Sequence, residues 1–139
     1  MLRGLATANF YADDLEEVKT WYGAVLGIEA YYAFPPEGEP AYIEFRVGDY
    51  EHELGFVDKR FAPPGAAASA GAIAYWHVDD LQAALDRLLE LGATLHLPIT
   101  HHGEESGFST ASVIDPFGNI LGIMCNPHYV DILNRSRHT

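Results

Sequence analysis

The fold of this chain is decided by Val113-Ile114-Asp115-Pro116-Phe117-Gly118-Asn119-Ile120-Leu121-Gly122-Ile123-Met124-Cys125. Two apolar runs in this stretch are joined by five residues that favour a tight turn. Pro116 fixes its φ at about −65°, and Gly118 tolerates the positive φ that many turns require. The stretch therefore predicts a β-hairpin, and the rest of the chain must supply its partners.

The composition predicts one acidic domain. Its 139 residues are 48% hydrophobic, which is enough for a sizeable core. Eight basic and 20 acidic residues give a formal charge of −12, so we expect neither nucleic acid nor an anionic membrane as a partner. A lone cysteine, Cys125, suits a reducing compartment, and the N-terminal residues lack the apolar run of a signal peptide. We therefore predict a cytoplasmic protein.

The first half of the chain predicts a β-α-β-β-β unit. Asp13 and Glu16 have the spacing of a helix N-terminal capping pair, and Gly27 is a typical helix stop. Between them an apolar stripe recurs every three or four residues. The predicted strands are Arg3–Ala12, Ile28–Phe34, Tyr42–Val47 and Glu51–Asp58. Residues 59–71, rich in Ala, Pro and Gly without periodicity, are predicted to be a linker.

The second half repeats this order. Asp79 and Gln82 form a second capping pair before a helical stripe that ends at Gly92. Asp14 and Asp80 are 66 residues apart, and the two helix-stop glycines are 65 apart, which indicates an internal repeat. The predicted strands are Ala72–Val78, Thr94–Thr100, Phe108–Ile114 and Asn119–Cys125. A polar loop is expected at His101–Gly107, and a polar tail with room for one short helix at 126–139.

These features resemble the vicinal oxygen chelate superfamily, which includes glyoxalase I, bleomycin-resistance proteins and extradiol dioxygenases. The resemblance is carried by the two units, their Asp-Asp-Leu helix starts, Trp21-Tyr22 followed by Leu26-Gly27, and Asp115-Pro116-Phe117-Gly118-Asn119. It implies an α+β fold in which two βαβββ modules curve their mixed sheets into a ligand-binding cup, with the helices outside. One domain, 1–139, would comprise modules at about 1–58 and 72–125.

The resemblance also implies where a metal would bind. Metal-using relatives place one ligand on the first and last strands of each module, and the matching positions here are Thr7, Glu53, Ile73 and Gly122. Of these only Glu53 is a sound ligand, and a single carboxylate would leave a divalent ion held mostly by water. We therefore expect no metal and no cofactor, with one divalent metal ion as the alternative.

Seven histidines keep that alternative open. His77 shares a strand face with Ile73 and Tyr75, so it is expected to point into the cup and could replace a lost ligand. For His52, His101 and His102 we expect solvated or structurally bonded imidazoles instead.

Strand alternation predicts which groups a ligand would meet in the cup. This surface mixes aromatic and polar side chains, as suits a small organic molecule with a few hydrogen-bonding groups. The predicted ligand-binding residues are Thr7, Asn9, Tyr42, Arg46, Glu53, Tyr75, His77 and Met124. Glu44, Glu51, Ile120 and Gly122 are expected on the same surface.

Two functions from different classes follow. The first is a metal-independent binding protein that sequesters or carries a small molecule, which the missing ligands favour. The second is a lyase or dioxygenase of the glyoxalase type, using either a divalent metal or Glu53 as general base with His77 as acid. We expect a homodimer, and the sequence leaves open whether the cup closes within one chain or across the dimer.

Overall fold

The computed structural model of this protein describes residues 1–62, 72–103 and 107–138. The chain divides into two compact units, Met1–Gly71 and Ala72–Thr139. Each unit contains a four-stranded mixed sheet, which confirms the predicted α+β class and the two βαβββ modules. None of the helices in the described ranges is long and apolar enough to cross a membrane.

Unit 1 has the strand order β1-β4-β3-β2 with one helix. β1 runs parallel to β4, and the other two pairings are antiparallel. The helix α1 packs Val18 and Tyr22 against this sheet, where the Tyr22 and Phe56 ring centroids are 4.5 Å apart. The elements are β1 Thr7–Ala12, α1 Leu15–Leu26, β2 Tyr32–Phe34, β3 Tyr42–Val47 and β4 His52–Asp58, followed by a 3₁₀ turn at Lys59–Phe61.

Unit 2 repeats this order as β5-β8-β7-β6, with β5 parallel to β8. Leu81, Leu85 and Leu88 form the buried stripe of α2. A third helix, α3, begins after the Asn126 cap, where Pro127 suits the first turn, and confirms the short helix expected in the tail. The elements are β5 Tyr75–His77, α2 Leu81–Glu90, β6 Thr94–His101, β7 Ser109–Ile114, β8 Ile120–Cys125 and α3 Pro127–Ser136.

The predicted helix caps were one residue too early in both units. Asp14, not Asp13, caps α1 through Oδ1, which accepts hydrogen bonds from the backbone N–H groups of Glu16 and Glu17. Asp80, not Asp79, caps α2, and its Oδ1 accepts a hydrogen bond from the backbone N–H of Ala83. Either aspartate of each pair is a good cap chemically, and the second one has the extended backbone of an N-cap residue, whose side chain reaches the free N–H groups of the first helical turn.

Several predicted strands are shorter in the structure. β1 begins at Thr7 rather than Arg3, because Thr7 faces Glu53 in the first register pair with β4. β2 and β5 shorten at their N-terminal ends to Tyr32 and Tyr75. Glu51, predicted in the fourth strand, is instead a turn residue with φ of 51°. Residues 63–71 of the predicted linker and 104–106 of the predicted loop lie outside the described residues.

Candidate functional site

One face of the unit 1 sheet packs against α1, and the other carries polar and aromatic side chains. We call the latter the unit 1 face. Residues paired in register point to the same side of a sheet, so the pairing sets which side chains are neighbours. Across β1, β4, β3 and β2 the rows on this face are Thr7-Glu53-Arg46, Asn9-Gly55-Glu44-Tyr32 and Tyr11-Val57-Tyr42-Phe34. The structure thus brings together five predicted site residues, Thr7, Asn9, Tyr42, Arg46 and Glu53.

Glu53 is held by two neighbours on this face. Its Oε2 accepts a hydrogen bond from Thr7 Oγ1 at 2.5 Å, and its Oε1 lies 3.1 Å from Arg46 Nη2. Both carboxylate oxygens are therefore engaged by the protein itself. The Glu53 side chain is 29% exposed. Its charge-assisted ion pair with Arg46 fixes the carboxylate in place.

Glu44 shares the same guanidinium. Its Oε1 accepts a hydrogen bond from Tyr42 Oη at 2.8 Å, and its Oε2 lies 3.3 Å from Arg46 Nε. The Glu44 side chain is only 10% exposed. Two carboxylates thus surround one guanidinium, and we call Glu44, Arg46 and Glu53 the carboxylate–arginine cluster, whose formal charge is −1.

The hydroxyl of Tyr42 is kept protonated by this environment. Burial raises the pKa of Tyr42 above its ordinary value, and the hydrogen bond to Glu44 and the charges of Glu44 and Glu53 raise it further. Tyr42 therefore acts as a hydrogen-bond donor on the unit 1 face, not as a base.

Three aromatic side chains that the sequence did not single out border the cluster. The Tyr31 ring lies over Arg46, with Cζ 4.6 Å from the ring centroid. Tyr32 and Phe34 face the same side, because they pair in register with Glu44 and Tyr42. The alternation in Tyr32–Phe34 is the sequence signal that could have indicated the last two. For Tyr31 the same alternation was misleading, because within the predicted strand Ile28–Phe34 it places Tyr31 on the opposite face, whereas in the structure Tyr31 precedes β2.

The corresponding face of unit 2 carries two rows, Tyr75-Gly122-Ser112 and His77-Met124-Thr110. The predicted residues Tyr75, His77 and Met124 are therefore neighbours, as alternation indicated. Two histidines that the sequence did not place there join them through hydrogen bonds. His96 Nδ1 lies 2.9 Å from Ser112 Oγ, and His102 Nε2 lies 2.8 Å from Thr110 Oγ1.

His77 is engaged mainly by the chain that follows β8. Its Nδ1 accepts a hydrogen bond from the backbone N–H of Asn126 at 3.1 Å, so the neutral ring carries its proton on Nε2. The ring stacks on Tyr129 of α3 with centroids 4.9 Å apart. Asp79 Oδ1 lies 3.4 Å from Nε2. These contacts place the imidazole beside α3, a partner the sequence did not indicate.

The four positions that match the metal ligands of metal-using relatives do not form a ligand set. They are Thr7, Glu53, Ile73 and Gly122. Thr7 and Glu53 face each other in the β1–β4 pairing, and the Thr7 hydroxyl donates a hydrogen bond to the Glu53 carboxylate. Gly122 pairs with Tyr75 rather than with Ile73, and a Cβ at Gly122 would lie 2.6 Å from Tyr75 Cδ1. Among the described residues no three His, Cys, Asp or Glu side chains gather as a metal site. A divalent ion would thus find one engaged carboxylate, which does not fit its coordination.

A groove of about 680 Å³ lies elsewhere in unit 1, beside the second half of α1 and residues 27–30. It includes Lys19 and Glu29 but none of the predicted site residues. We therefore take the unit 1 face, where five predicted residues converge, as the candidate site.

Comparison with known proteins agrees with this architecture. A protein-family model described as the glyoxalase/bleomycin resistance protein/dioxygenase superfamily matches residues 4–123. No curated protein matches the chain significantly.

Solved structures with the same fold share little sequence with this chain. A glyoxalase-related enzyme from Fulvimarina pelagi is 19% identical with a TM-score of 0.64, over 91% of this chain and 90% of its own. TioX from Micromonospora sp. ML1 is 14% identical with a TM-score of 0.63, over 88% and 98%. UcmS2 is 20% identical with a TM-score of 0.65, over 89% and 98%. At these identities the likeness establishes the fold alone.

Proposed function

The chain belongs to the glyoxalase/bleomycin resistance protein/dioxygenase superfamily, and from that premise we propose that it is a metal-independent binding protein for a small organic molecule. Its role would be to sequester or carry that molecule. Superfamily membership alone does not choose between binding and catalysis, so the proposal rests on the chemistry of the unit 1 face.

The engagement of Glu53 is the observation that carries this proposal. Glu53 is the only inherited metal position with a suitable donor, and Thr7 and Arg46 occupy both of its oxygens. A metal would have to displace a hydroxyl and a guanidinium to reach it. The same contacts weaken the support for the enzyme alternative, because the lone pairs that face Thr7 and Arg46 are not directed at a substrate proton.

The side chains around Glu53 support recognition of an organic molecule. Tyr31, Tyr32 and Phe34 are 68%, 47% and 57% exposed, respectively, which is unusual for large aromatic residues. Beside them lie hydrogen-bonding groups fixed by their neighbours. Exposed aromatic surface next to a few positioned polar groups is typical of small-molecule sites. A homodimer and a cytoplasmic location remain predictions from the sequence.

Elemental analysis tests the metal part of the proposal. Untagged protein would be purified without chelators and dialysed, and its metal content measured per chain. We expect near-zero stoichiometry for every divalent metal. About one tightly held ion per chain would contradict metal independence and would make Glu53 and His77 the first residues to mutate.

A pair of variants tests the binding part. Thermal shift against a library of small organic molecules would identify ligands, whose affinity would then be compared in Glu53→Gln and Glu51→Gln. Each change removes one negative charge, but Glu51 is an exposed turn residue. We expect Glu53→Gln to weaken binding about tenfold, or about 1.4 kcal/mol, and Glu51→Gln to leave it unchanged. Equal effects of the two changes, or turnover that Glu53→Gln abolishes, would contradict the proposal.

A further inference from the structure

We propose that α3 is a displaceable cover for His77 and detaches from unit 2 without unfolding of the sheet. Docked, the helix blocks the imidazole on the unit 2 face, the sheet surface that carries the His77-Met124-Thr110 row. Detached, it frees one face of the ring and the Nδ1 lone pair. This role of α3 concerns unit 2 alone and does not depend on the ligand of the unit 1 face.

Docking of α3 engages the His77 ring in two ways. The Tyr129 ring stacks on the imidazole, with centroids 4.9 Å apart and an angle of 18° between the ring planes. Asn126, the N-cap residue of α3, donates its backbone N–H to Nδ1 at 3.1 Å. With the helix in place the His77 side chain is only 14% exposed. The lone pair with which a neutral imidazole acts as base or ligand is therefore taken by the start of the helix.

The rest of α3 is weakly anchored. None of the ten residues of this helix, all of them described, is fully buried, whereas α1 and α2 bury three residues each. Val130 and Leu133 are half-buried, and Ile132 is 40% exposed. A helix of this length is marginal on its own and depends on packing. Elements that bury few apolar side chains open at the lowest free-energy cost, so α3 should detach while the sheet stays folded.

The docked arrangement also leaves one polar atom of His77 unsatisfied. Nε2, which carries the ring proton, is buried and has no aligned hydrogen-bond acceptor in the described ranges. Asp79 Oδ1 lies 3.4 Å away but is not in line with the N–H, and its side chain is exposed. A buried donor without an acceptor costs stability. Detachment of α3 removes the stacked Tyr129 ring and lets water approach the imidazole, so it relieves this cost.

A detachable cover sets a condition on every ligand that uses the His77 imidazole. Such a ligand binds only those molecules in which α3 has opened, so its apparent affinity is reduced by the fraction of molecules that are closed. Conversely, its binding shifts the population toward the open form. The helix α3 is therefore an autoinhibitory element of the unit 2 face.

Amide hydrogen exchange of the native protein, followed by NMR, tests detachment without any substitution. We expect the hydrogen-bonded amides of α3 to exchange at least about a hundredfold faster than those of α2 and β8. The Asn126 amide, whose hydrogen bond to His77 must break when the helix detaches, should exchange together with α3. Exchange of α3 as slow as that of α2 would overturn the proposal. An Asn126 amide as protected as β8 would also overturn it, because α3 would then only fray from its C-terminal end.

Modification by diethyl pyrocarbonate, measured at each histidine by mass spectrometry, tests the covering of His77. The reagent reacts with an accessible neutral imidazole through its free lone pair. In the native protein we expect His77 to react at least about tenfold more slowly than the exposed His138. Tyr129→Ala should raise the His77 rate several-fold, whereas Tyr129→Phe, which keeps the ring, and the control Ile132→Ala should not. Equal rates at His77 and His138 in the native protein, or no increase in Tyr129→Ala, would overturn the proposal.

Discussion

Two strand glycines show how a single missing side chain shapes this surface. A Cβ on Gly55 would lie 2.4 Å from Asn9 Oδ1 and 2.5 Å from Tyr42 Oη, and Gly122 is similarly covered by Tyr75. Each glycine therefore leaves room for a tyrosine side chain that comes from the neighbouring strand. In the sequence these glycines look only like weak points in a strand.

A substitution at Gly55 tests this packing. In Gly55→Ala the new methyl group would push Tyr42 aside and break its hydrogen bond to Glu44. We expect a loss of about 1–3 kcal/mol in the free energy of unfolding, as for overpacked cores. Gly23→Ala in α1 is the matched control, because its nearest neighbour is 3.4 Å away and alanine favours helices. Equal stability of both variants in urea unfolding would contradict the packing.

Asp58 gives a prediction on pH. It accepts hydrogen bonds from Arg60 Nε at 3.1 Å, Nη2 at 3.0 Å and the backbone N–H at 2.9 Å. The hydrogen bonds from the Arg60 side chain are the main cause that lowers the pKa of Asp58. The bond from the Arg60 backbone N–H lowers this pKa less, and burial opposes the effect. A lowered folded-state pKa means that this stabilisation is fully present above the unfolded value of about 3.9 and is lost as pH falls through the folded value.

The measurement is Tm against pH for the native protein and Asp58→Asn. At pH 6 we expect Asp58→Asn to be less stable by about 1 kcal/mol, a modest figure because Arg60 is 61% exposed and solvent screens the pair. The gap should shrink below pH 4. A gap that stays constant down to pH 2 would rule out the carboxylate as its source.

At the scale of an element, the β7–β8 hairpin is organised by Asp115. Its Oδ1 accepts hydrogen bonds from the backbone N–H groups of Phe117 and Asn119 at 2.9 and 2.8 Å, and Asn119 Nδ2 donates to Oδ2 at 3.0 Å. Gly118 has the positive φ expected of it, 92°. The turn thus depends on a buried carboxylate as well as on the Pro and Gly that predicted it.

A valine at Gly118 tests the turn. A β-branched residue at positive φ is strained, so we expect Gly118→Val to cost at least about 1–2 kcal/mol and to lower Tm. Gly4→Val makes the same change at an exposed residue with no atom within 4 Å of its Cβ position. An unchanged Tm in Gly118→Val would contradict the observed turn, and an equal loss in Gly4→Val would assign the effect to valine in general.

For the whole molecule, the excess of acidic residues sets the response to salt. Twenty acidic and eight basic residues leave a formal charge of −12 on a chain of 139 residues. Self-repulsion of this size destabilises the compact state and is screened by salt. We expect Tm to rise between about 10 mM and 150 mM NaCl, where the Debye length falls to about 8 Å. A falling Tm would mean that ion pairs such as Asp58–Arg60 outweigh the repulsion.

Much of the fold followed from the sequence because its signals are local. The apolar stripes, the Asp-Asp-Leu starts and the glycine stops mark α1 and α2, and alternation marks β3 without error. The strand ends were less accurate. Residues 3–6 have strand-like composition, but β1 pairs with β4 only from Thr7 onward, and no local pattern reveals where a partner strand begins.

The candidate site, like the fold, was predicted from the sequence only in part. Alternation correctly placed Thr7, Asn9, Tyr42, Arg46 and Glu53 on one face, because side-chain direction in a strand depends only on position. The sequence by itself thus determined which residues share a face. Only the tertiary structure decided that Thr7 bonds Glu53 across 46 residues, that Tyr31 covers Arg46, and that α3 stacks on His77. The physical reason is that such contacts depend on register and packing between segments distant in sequence, which local propensities do not specify.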